Sequence, residues 1–246
     1  MFGVCDFCAW LMLLGRPQTE IKSGLFAGMC YGSNAVGSSL MPKLLGTYEK
    51  ELTGAIGQLP VFDIAIDVGA AEGWYAVGLL YRKKTRAVVA FELAGEGRKI
   101  CRENAERNGV AGQIQIKGGC TAGDLQSLLR ACQEKRQRVL IISDCEGFEK
   151  ELFSAETINL CALAWLIIET HELQAPSGRE YLVQNLQASH AVTRIQRARR
   201  TRDDIQLPPG GWLPWLLKLP FLHRILMSER RGPGNEWLVA IPKTAE

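Results

Sequence analysis

The segment 64–75, IAIDVGAAEGWY, constrains the fold most, because a short apolar run leads into an acid and a turn of small residues. The apolar run, Ile64 to Val68, suits a parallel strand buried on both faces. In the turn 69–73, glycine or alanine at alternate positions lets the backbone approach a ligand closely. A helix that begins near Trp74 would point its free N–H groups at the same crevice. The segment therefore predicts a strand–turn–helix unit that holds a nucleotide-like ligand.

Two acids indicate which nucleotide-like ligand this turn favours. Asp67 lies two residues before the first glycine, where a carboxylate would repel a pyrophosphate but could hold a cationic or hydroxyl-bearing ligand. Glu92 follows the next apolar run, and an acid at the end of a second strand is where ribose hydroxyls are usually bound. The turn reads Gly-x-Ala-x-Gly, unlike the dinucleotide motif Gly-x-Gly-x-x-Gly, and contains no phosphate-binding lysine. The combination favours S-adenosylmethionine over NAD or ATP, and an ordinary tight turn is the alternative.

Length and composition fit a globular chain with a full core. With 246 residues, 47% of them hydrophobic and 22% charged, the chain suits one α/β domain with a short extension, or at most two small domains. The formal net charge of +3 is no strong nucleic-acid signal. Eight scattered cysteines fit a reducing cytoplasm, and we predict a cytoplasmic protein. Cys5 and Cys8 form a Cys-x-x-Cys pair, but no second pair completes a zinc site.

Strand and helix patterns alternate along most of the chain. Predicted strands cover 62–68, 87–92, 113–117, 138–144, 163–169, 191–196 and 236–241. Predicted helices cover 42–56, 73–83, 95–108, 121–136, 147–158 and 177–188. Five strand–helix units followed by two strands predict a doubly wound α/β sheet. In such a sheet the ligand crevice lies at the carboxyl ends of the strands.

We divide the chain into an N-terminal extension or cap, residues 1–59, and a main domain, 60–246, with an insertion at about 203–233. The apolar segment 2–14 is too short to span a bilayer and lacks the features of a signal peptide. A basic run at 194–202 could meet phosphates, but a solvated hairpin arm is favoured. The Pro-broken apolar segment 208–222 is interpreted as a lid, and peripheral membrane contact through 212–222 stays open. The sequence does not fix the oligomeric state.

Acids and one histidine follow the fourth and fifth predicted strands, at the edge where the crevice is expected. Asp144 and Glu146 follow the fourth strand, and two acids in a crevice are costly unless a ligand uses them. Glu169 and His171 follow the fifth, and His171 could be a general base or only a hydrogen-bonded residue of the rim. Glu149 is interpreted as structural, because an anion is favoured in the first turn of a helix. The other four side chains could also ligate a metal, but their spacing does not require one and we assign none.

Several motifs together resemble the FkbM-type methyltransferases. The motifs are DVGAAEGWY at 67–75, AFE at 90–92, ENAERNG at 103–109, DCEGFE at 144–149 and IETH at 168–171. The resemblance covers roughly residues 60–245, and the DCEGFE stretch is its more specific part. It implies a class I S-adenosylmethionine-dependent methyltransferase with a Rossmann-like sheet of seven strands, mostly parallel with the last strand antiparallel.

The resemblance also implies site residues. In such enzymes the residues matching 67–73 line the methionine part of the cofactor, the acid matching Glu92 binds ribose, and those matching 119–121 approach adenine. The middle glycine of the first motif is Ala71 here, a change of one methyl that should not block binding. The predicted cofactor-binding residues are Asp67, Gly69, Ala70, Ala71, Glu72, Gly73, Tyr75, Glu92, Leu93, Cys120 and Asp144. The predicted catalytic residues are His171, Asp144, Glu146 and Glu169.

Members of that family methylate hydroxyls on sugars and natural products, which implies O-methylation of a small-molecule or glycan substrate. One alternative is an RNA or protein methyltransferase that uses the basic run. The fourth strand argues against it, because it lacks the Asn/Asp-Pro-Pro-aromatic motif typical of amino-group methylation. A non-catalytic scaffold that binds a partner through 212–222 is the other alternative. The chain contains the complete set Asp67, Gly69, Gly73 and Glu92, and this argues against a scaffold, because a pocket without a ligand does not need both acids.

Overall fold

The computed structural model describes residues 18–32, 34–171, 177–204, 228–229 and 234–244. An antiparallel ribbon is formed by β1 (Gln18–Glu20) and β2 (Cys30–Gly32). The main sheet contains β3 (Ile64–Val68), β4 (Val88–Phe91), β5 (Ile114–Lys117), β6 (Val139–Ser143), β7 (Trp165–Thr170), β8 (His190–Gln196) and β9 (Glu236–Pro242). Its order is β5-β4-β3-β6-β7-β9-β8, with β9 antiparallel to both neighbours and the other pairs parallel. The predicted Rossmann-like, doubly wound α/β sheet of seven strands with an antiparallel last strand is confirmed.

Helices cover both faces of this sheet, as buried parallel strands require. They are α1 (Leu40–Leu45), α2 (Thr53–Gln58), α3 (Trp74–Tyr81), α4 (Gly95–Arg107), α5 (Ala122–Glu134), α6 (Glu149–Leu152), α7 (Ala155–Leu160) and α8 (Gly178–Leu186). Short 3-10 turns lie at Lys50–Leu52, Ala111–Gln113 and Arg202–Asp204. Because side chains alternate along a strand, Ala65 and Leu140 face the core with α1 to α4, whereas Ile66 and Ile141 face the core with α5 to α8.

The order of the strands reverses between β3 and β6, and this reversal fixes where a ligand can bind. From β3 the sheet extends to β5 on one side, and from β6 it extends to β8 on the other. Sheets of this kind bind ligands outside the carboxyl ends of the strands at such a switch point. Asp67 and Glu169 lie near the ends of β3 and β7, while Glu92 and Asp144 directly follow β4 and β6. The predicted acids therefore lie along one edge.

The N-terminal region packs on the α3 face of the sheet. The ring of Phe26 lies edge-on to Trp74 with centroids 5.0 Å apart, and Tyr31 and Tyr48 contact the same indole at 5.8 and 5.4 Å. Phe26 fills the space beside Gly78, where an added Cβ would lie 2.6 Å from its ring atoms. Residues 18–32 and 34–58 therefore contribute to a core shared with the sheet.

Two predicted helices are divided in the structure. The predicted helix 42–56 becomes α1, a 3-10 turn and α2, because Gly46 adopts a left-handed conformation (φ 80°) and packs against the backbone of Ser23. The predicted helix 147–158 becomes α6 and α7. There Ser154 leaves the helical conformation, and its side chain accepts the Thr157 N–H to start α7.

Several features of the sequence analysis lie outside the described residues: the Cys5/Cys8 pair, the segment 2–14, most of the insertion 203–233 and the apolar segment 208–222. Within the described ranges, none of the helices has the length and apolarity to cross a lipid bilayer.

Candidate active site

A cavity of about 710 Å³ opens at the carboxyl edge of the sheet, over the switch point. Ligand pockets for small molecules commonly have volumes of about 300 to 1,000 Å³. Of the residues predicted from sequence, the lining contains Asp67, Gly69, Ala70, Ala71, Tyr75, Glu92, Leu93, Cys120, Asp144, Glu146, Glu169 and His171. The structure therefore brings twelve predicted residues from five separate segments of the chain to one cavity.

Gly69 holds the ends of the two central strands together. It has a positive φ of 85°, and an added Cβ would overlap with the carbonyl oxygen of Asp144. The N–H of Asp144 in turn donates to the carbonyl of Val68 at 2.9 Å. A side chain at this position would separate β3 from β6 at the edge where the cavity opens.

We expect Gly69→Ala to destabilise the fold by about 3 kcal/mol or more, because backbone strain and overlap with a buried backbone add together. Urea unfolding measures the effect. Gly54→Ala is the matched control, because Gly54 lies in α2 with nothing within 4 Å of an added Cβ. That variant is expected to be neutral or slightly stabilising. Equal stability of the two variants would contradict the role of Gly69.

Asp67 presents a buried carboxylate to the cavity. Its side chain is 3% exposed, and its Oδ2 atom has no hydrogen-bond partner among the described residues. Burial raises the pKa of Asp67 to about 7, with the nearby charge of Glu92 adding to the effect and the Ala76 N–H opposing it. Because a buried charge without a partner is costly, Asp67 favours a ligand that brings a cation or a hydrogen-bond donor.

Glu92 is held in place by two backbone donors. The Ala71 N–H donates to Oε2 at 2.8 Å and the Ala94 N–H donates to Oε1 at 2.6 Å. A carboxylate accepts about four hydrogen bonds, so each oxygen keeps a lone pair for a ligand. Gly97 of α4 makes room for this arrangement, since an added Cβ would lie 2.8 Å from Glu92 Cγ. The structure therefore fixes Glu92 as an acceptor beside the turn.

Two residues of the predicted cofactor set do not line the cavity. The carboxylate of Glu72 is fully buried and points to the N-terminal region, where it accepts from Tyr31 Oη at 2.9 Å, Val36 N–H at 3.0 Å and Lys43 Nζ. Gly73 starts α3 with a φ of 88°, packed beside Cys101. Position in the turn therefore predicts proximity to the cavity but not the direction of each side chain.

His171 lies at the centre of a group of carboxylates. Its Nδ1 is 2.6 Å from Glu149 Oε1, and both side chains are 2% exposed. Its Nε2 faces Asp144 Oδ1 at 3.4 Å and Glu169 Oε2 at 3.9 Å. Burial lowers the pKa of His171, but the bond to Glu149 and the charges of Glu169 and Glu149 outweigh it and raise the pKa above 6.5. Glu149, interpreted as structural from the sequence, therefore orients the histidine.

Asp144 and Glu146 differ in their surroundings. Burial and the neighbouring charge of Glu169 raise the pKa of Asp144 well above its ordinary value. Glu146 lies 3.5 Å from His171 Nε2, yet its side chain is 75% exposed. Asn235, which precedes the antiparallel strand β9, donates to Glu169 Oε1 at 3.1 Å. Asn235 therefore holds Glu169 in the site, whereas Glu146 reaches it from the rim.

The N-terminal region supplies part of the cavity wall that the strand-end motifs do not predict. Tyr48 lines the cavity, whereas Glu51 pairs with the buried Arg200 at 2.8 Å. Tyr75 donates to the carboxylate of Glu49, which also lines the cavity. The lining residues outside the predicted cofactor and catalytic sets are Val36, Gly37, Ser38, Lys43, Tyr48, Glu49, Trp74, Gly119, Ile142, Cys145, Phe148 and Asn235.

Known proteins resemble this chain in fold alone. No protein-family model matches it, and no curated protein does. Sp1610 of Streptococcus pneumoniae, proposed to be a tRNA (m1A22) methyltransferase, aligns with a TM-score of 0.47 and 16% identity over 79% of this chain and 70% of that chain. TrmK, the tRNA (m1A22) methyltransferase of B. subtilis, aligns with a TM-score of 0.46 and 13% identity over 78% of this chain and 65% of that chain. An O-methyltransferase from Bacillus cereus, in complex with SAH, aligns with a TM-score of 0.46 and 11% identity over 73% of this chain and 74% of that chain. Likeness at this level carries no argument about the activity of this chain.

Proposed function

We propose that this protein is an S-adenosylmethionine-dependent methyltransferase that acts on a hydroxyl group of a small polyhydroxylated molecule or glycan. The observation that carries the proposal is the pair of carboxylates near the carboxyl ends of β3 and β4, Asp67 and Glu92, on the wall of one cavity. Asp67 has a buried oxygen without a partner, and Glu92 keeps lone pairs at the end of the second strand. The FkbM-like motifs of the sequence support the same assignment.

The residues present fit the proposed cofactor. Asp67 would hold its cationic methionine part, because an unpaired buried carboxylate is stabilised by a nearby positive charge. Glu92 would accept from the two ribose hydroxyls, as acids at the end of the second strand do in related folds. Leu93, Gly119 and Cys120 lie on the cavity wall beyond Glu92 and would pack on the base. Bound there, S-adenosylmethionine supplies an activated methyl group for in-line displacement by an acceptor oxygen.

The chain itself positions the acceptor and takes its proton. Orientation of two reactants in one cavity is the main contribution to such a displacement. His171 is held by Glu149 so that its Nε2 faces the carboxylates of Asp144 and Glu169 in the cavity lining, and it is the proposed general base in its neutral form. Asp144 is the second candidate, since burial raises the pKa of this carboxyl well above its ordinary value. Glu146 and Glu169 would accept hydrogen bonds from further hydroxyls of the acceptor.

The charge of the cavity supports a neutral or cationic acceptor over an RNA. Its described lining has six carboxylates, those of Glu49, Asp67, Glu92, Asp144, Glu146 and Glu169, and one lysine, Lys43, which is paired with Glu72. A surface of this sign repels phosphates. Within the basic run, Arg200 is buried and paired with Glu51 and Glu229, so it does not face solvent. Membership of the FkbM-type family and a cytoplasmic location stay predictions.

A donor-consumption assay tests the proposed reaction. The full chain is incubated with S-adenosylmethionine and, in separate reactions, with sugars, glycans, phenols or RNA, and release of S-adenosylhomocysteine is measured. We expect release only with hydroxyl-bearing small molecules or glycans. Release with RNA alone would overturn the assignment of the acceptor, and binding of the donor without release with any class would favour a scaffold.

A further inference from the structure

Three ligand-type atoms converge on one side of the cavity. A carboxylate oxygen of Asp144, one of Glu169 and a ring nitrogen of His171 all lie within 4.8 Å of one another. His171 Nε2 is 3.4 Å from Asp144 Oδ1 and 3.9 Å from Glu169 Oε2. Atoms bound to a common first-row ion at about 2.1 Å lie about 3 to 4 Å apart, so these separations already match a shared ion.

The surroundings of these atoms also indicate a missing cation. Glu149 holds His171 Nδ1 at 2.6 Å, the carboxylate–histidine arrangement that aims the other ring nitrogen at a metal. Asp144 Oδ1 is buried and has no hydrogen-bond partner among the described residues. Within that part of the chain no lysine or arginine pairs with Asp144, whose one ion-pair partner is His171. The buried His171 and the unpartnered oxygen therefore face a common space.

We propose that Asp144, Glu169 and His171 form a binding site for a divalent first-row ion such as Mn²⁺. Two carboxylates and one imidazole suit such an ion better than Mg²⁺ or Ca²⁺, which prefer oxygen ligands throughout. Three protein ligands leave coordination positions open to the cavity. Resting on the proposed function, an ion there would use the Nε2 lone pair of His171 and replace this residue as the group that activates the acceptor, by lowering the pKa of a hydroxyl that reached an open position. Binding of the ion does not itself require that function.

Calorimetric titration of the chelator-treated full chain with MnCl₂, without S-adenosylmethionine, tests the site. Mn²⁺ is the probe because the six free thiols of the described residues would compete for Zn²⁺. We expect saturable binding at one site per chain. Asp144→Asn, Glu169→Gln and His171→Gln should each weaken it by at least about 100-fold, and Glu149→Gln by about 10- to 100-fold through loss of orientation. Glu103→Gln, which removes a partly exposed pair with Arg107 outside the cavity lining, is the control and should bind normally.

The outcomes separate this proposal from the proposed function. No saturable binding, binding unaffected by the three ligand variants, or binding of Mg²⁺ or Ca²⁺ at least as tight as that of Mn²⁺ would overturn the site. Circular dichroism of each variant shows whether it is folded. Asp144→Asn is isosteric at a partly exposed position, so it still tests the site if the variants of the buried residues Glu169 and His171 unfold. Mn²⁺ binding by a chain that does not bind S-adenosylmethionine would leave the metal site standing and remove the methyltransferase assignment.

Discussion

Asp67→Asn is expected to stabilise the ligand-free protein at pH 8 by up to about 4 kcal/mol and to weaken binding of S-adenosylmethionine. Folding raises the pKa of Asp67 from 3.8 to about 7. Between these values the unfolded chain releases its proton while the folded chain keeps it, so this group lowers stability as pH rises through that window. This difference in pKa corresponds to a loss of about 4 kcal/mol in the free energy of unfolding, and the loss is complete above a pH of about 7. An asparagine side chain does not ionise, so the variant does not lose this stability as pH rises.

Urea unfolding of both proteins between pH 4 and pH 8 measures the difference directly. The stability gained by Asp67→Asn should be near zero at the acid end and grow as pH rises through the window from about 4 to about 7. Asp63→Asn, which removes a surface pair with Arg86, is the control and should change stability by less than about 1 kcal/mol. A gain that is independent of pH would contradict the assigned burial of the Asp67 charge.

The affinity of the wild-type protein for S-adenosylmethionine should follow the same ionisation in the opposite sense. Below a pH of about 7 Asp67 is protonated and cannot pair with a positive charge, so the affinity falls as pH falls. The Asn variant should bind weakly at every pH. Isothermal calorimetry at several pH values checks both statements.

Lys43→Met is expected to destabilise the fold by about 3 to 5 kcal/mol, because it leaves the buried carboxylate of Glu72 without its cation. Both side chains are almost fully buried, and the Tyr31 hydroxyl and the Val36 N–H, the remaining partners of Glu72, are uncharged. Lys43→Met/Glu72→Gln should recover most of the loss, since it removes both charges together. Denaturant unfolding of the two single variants and the double variant completes the cycle. A double variant as unstable as the sum of the single variants would contradict the pairing.

The same cycle has a consequence for the site. Val36, Gly37 and Ser38 line the cavity, and Glu72 holds Val36 through its N–H. Loss of Lys43 should therefore weaken cofactor binding as well as lower the stability of the fold. The double variant Lys43→Met/Glu72→Gln should restore stability and cofactor binding to different extents. Surface pairs such as Arg130 and Glu156 offer a control, because exposed pairs contribute little.

The sheet and its acidic edge could be predicted from sequence because both depend on local pattern. Apolar runs of the right length predict buried strands, and parallel strands bring Asp67, Glu92, Asp144 and Glu169 to one edge whatever the loops do. The residues at the ends of these strands line the cavity as a result. The divided helices show the limit of local pattern, since contact between Gly46 and Ser23, distant in the chain, decides the first of them.

Contacts between distant parts of the chain could not be predicted. Glu72 lies in the predicted turn, yet its direction is set by Lys43 and Tyr31, about 30 to 40 residues earlier. Asn235 reaches Glu169 because β9 runs antiparallel beside β7; the resemblance implied the antiparallel strand, but no motif indicates this contact. Glu149 fits a helix start by sequence, and only the fold shows that His171 is its partner. Side-chain direction and pairing depend on tertiary packing, which a single sequence does not display.

Titration of the full chain with S-adenosylmethionine in a calorimeter, beside its Glu92→Gln and Glu96→Gln variants, tests the central claim most directly. Glu96 is exposed on the first turn of α4, four residues from Glu92 and outside the cavity lining. We expect saturable binding by the wild type and by Glu96→Gln, with binding at least about tenfold weaker for Glu92→Gln, because a hydrogen bond to a charged acceptor is lost. Absence of binding by the wild type, or equal binding by all three proteins, would contradict the assignment of the cofactor.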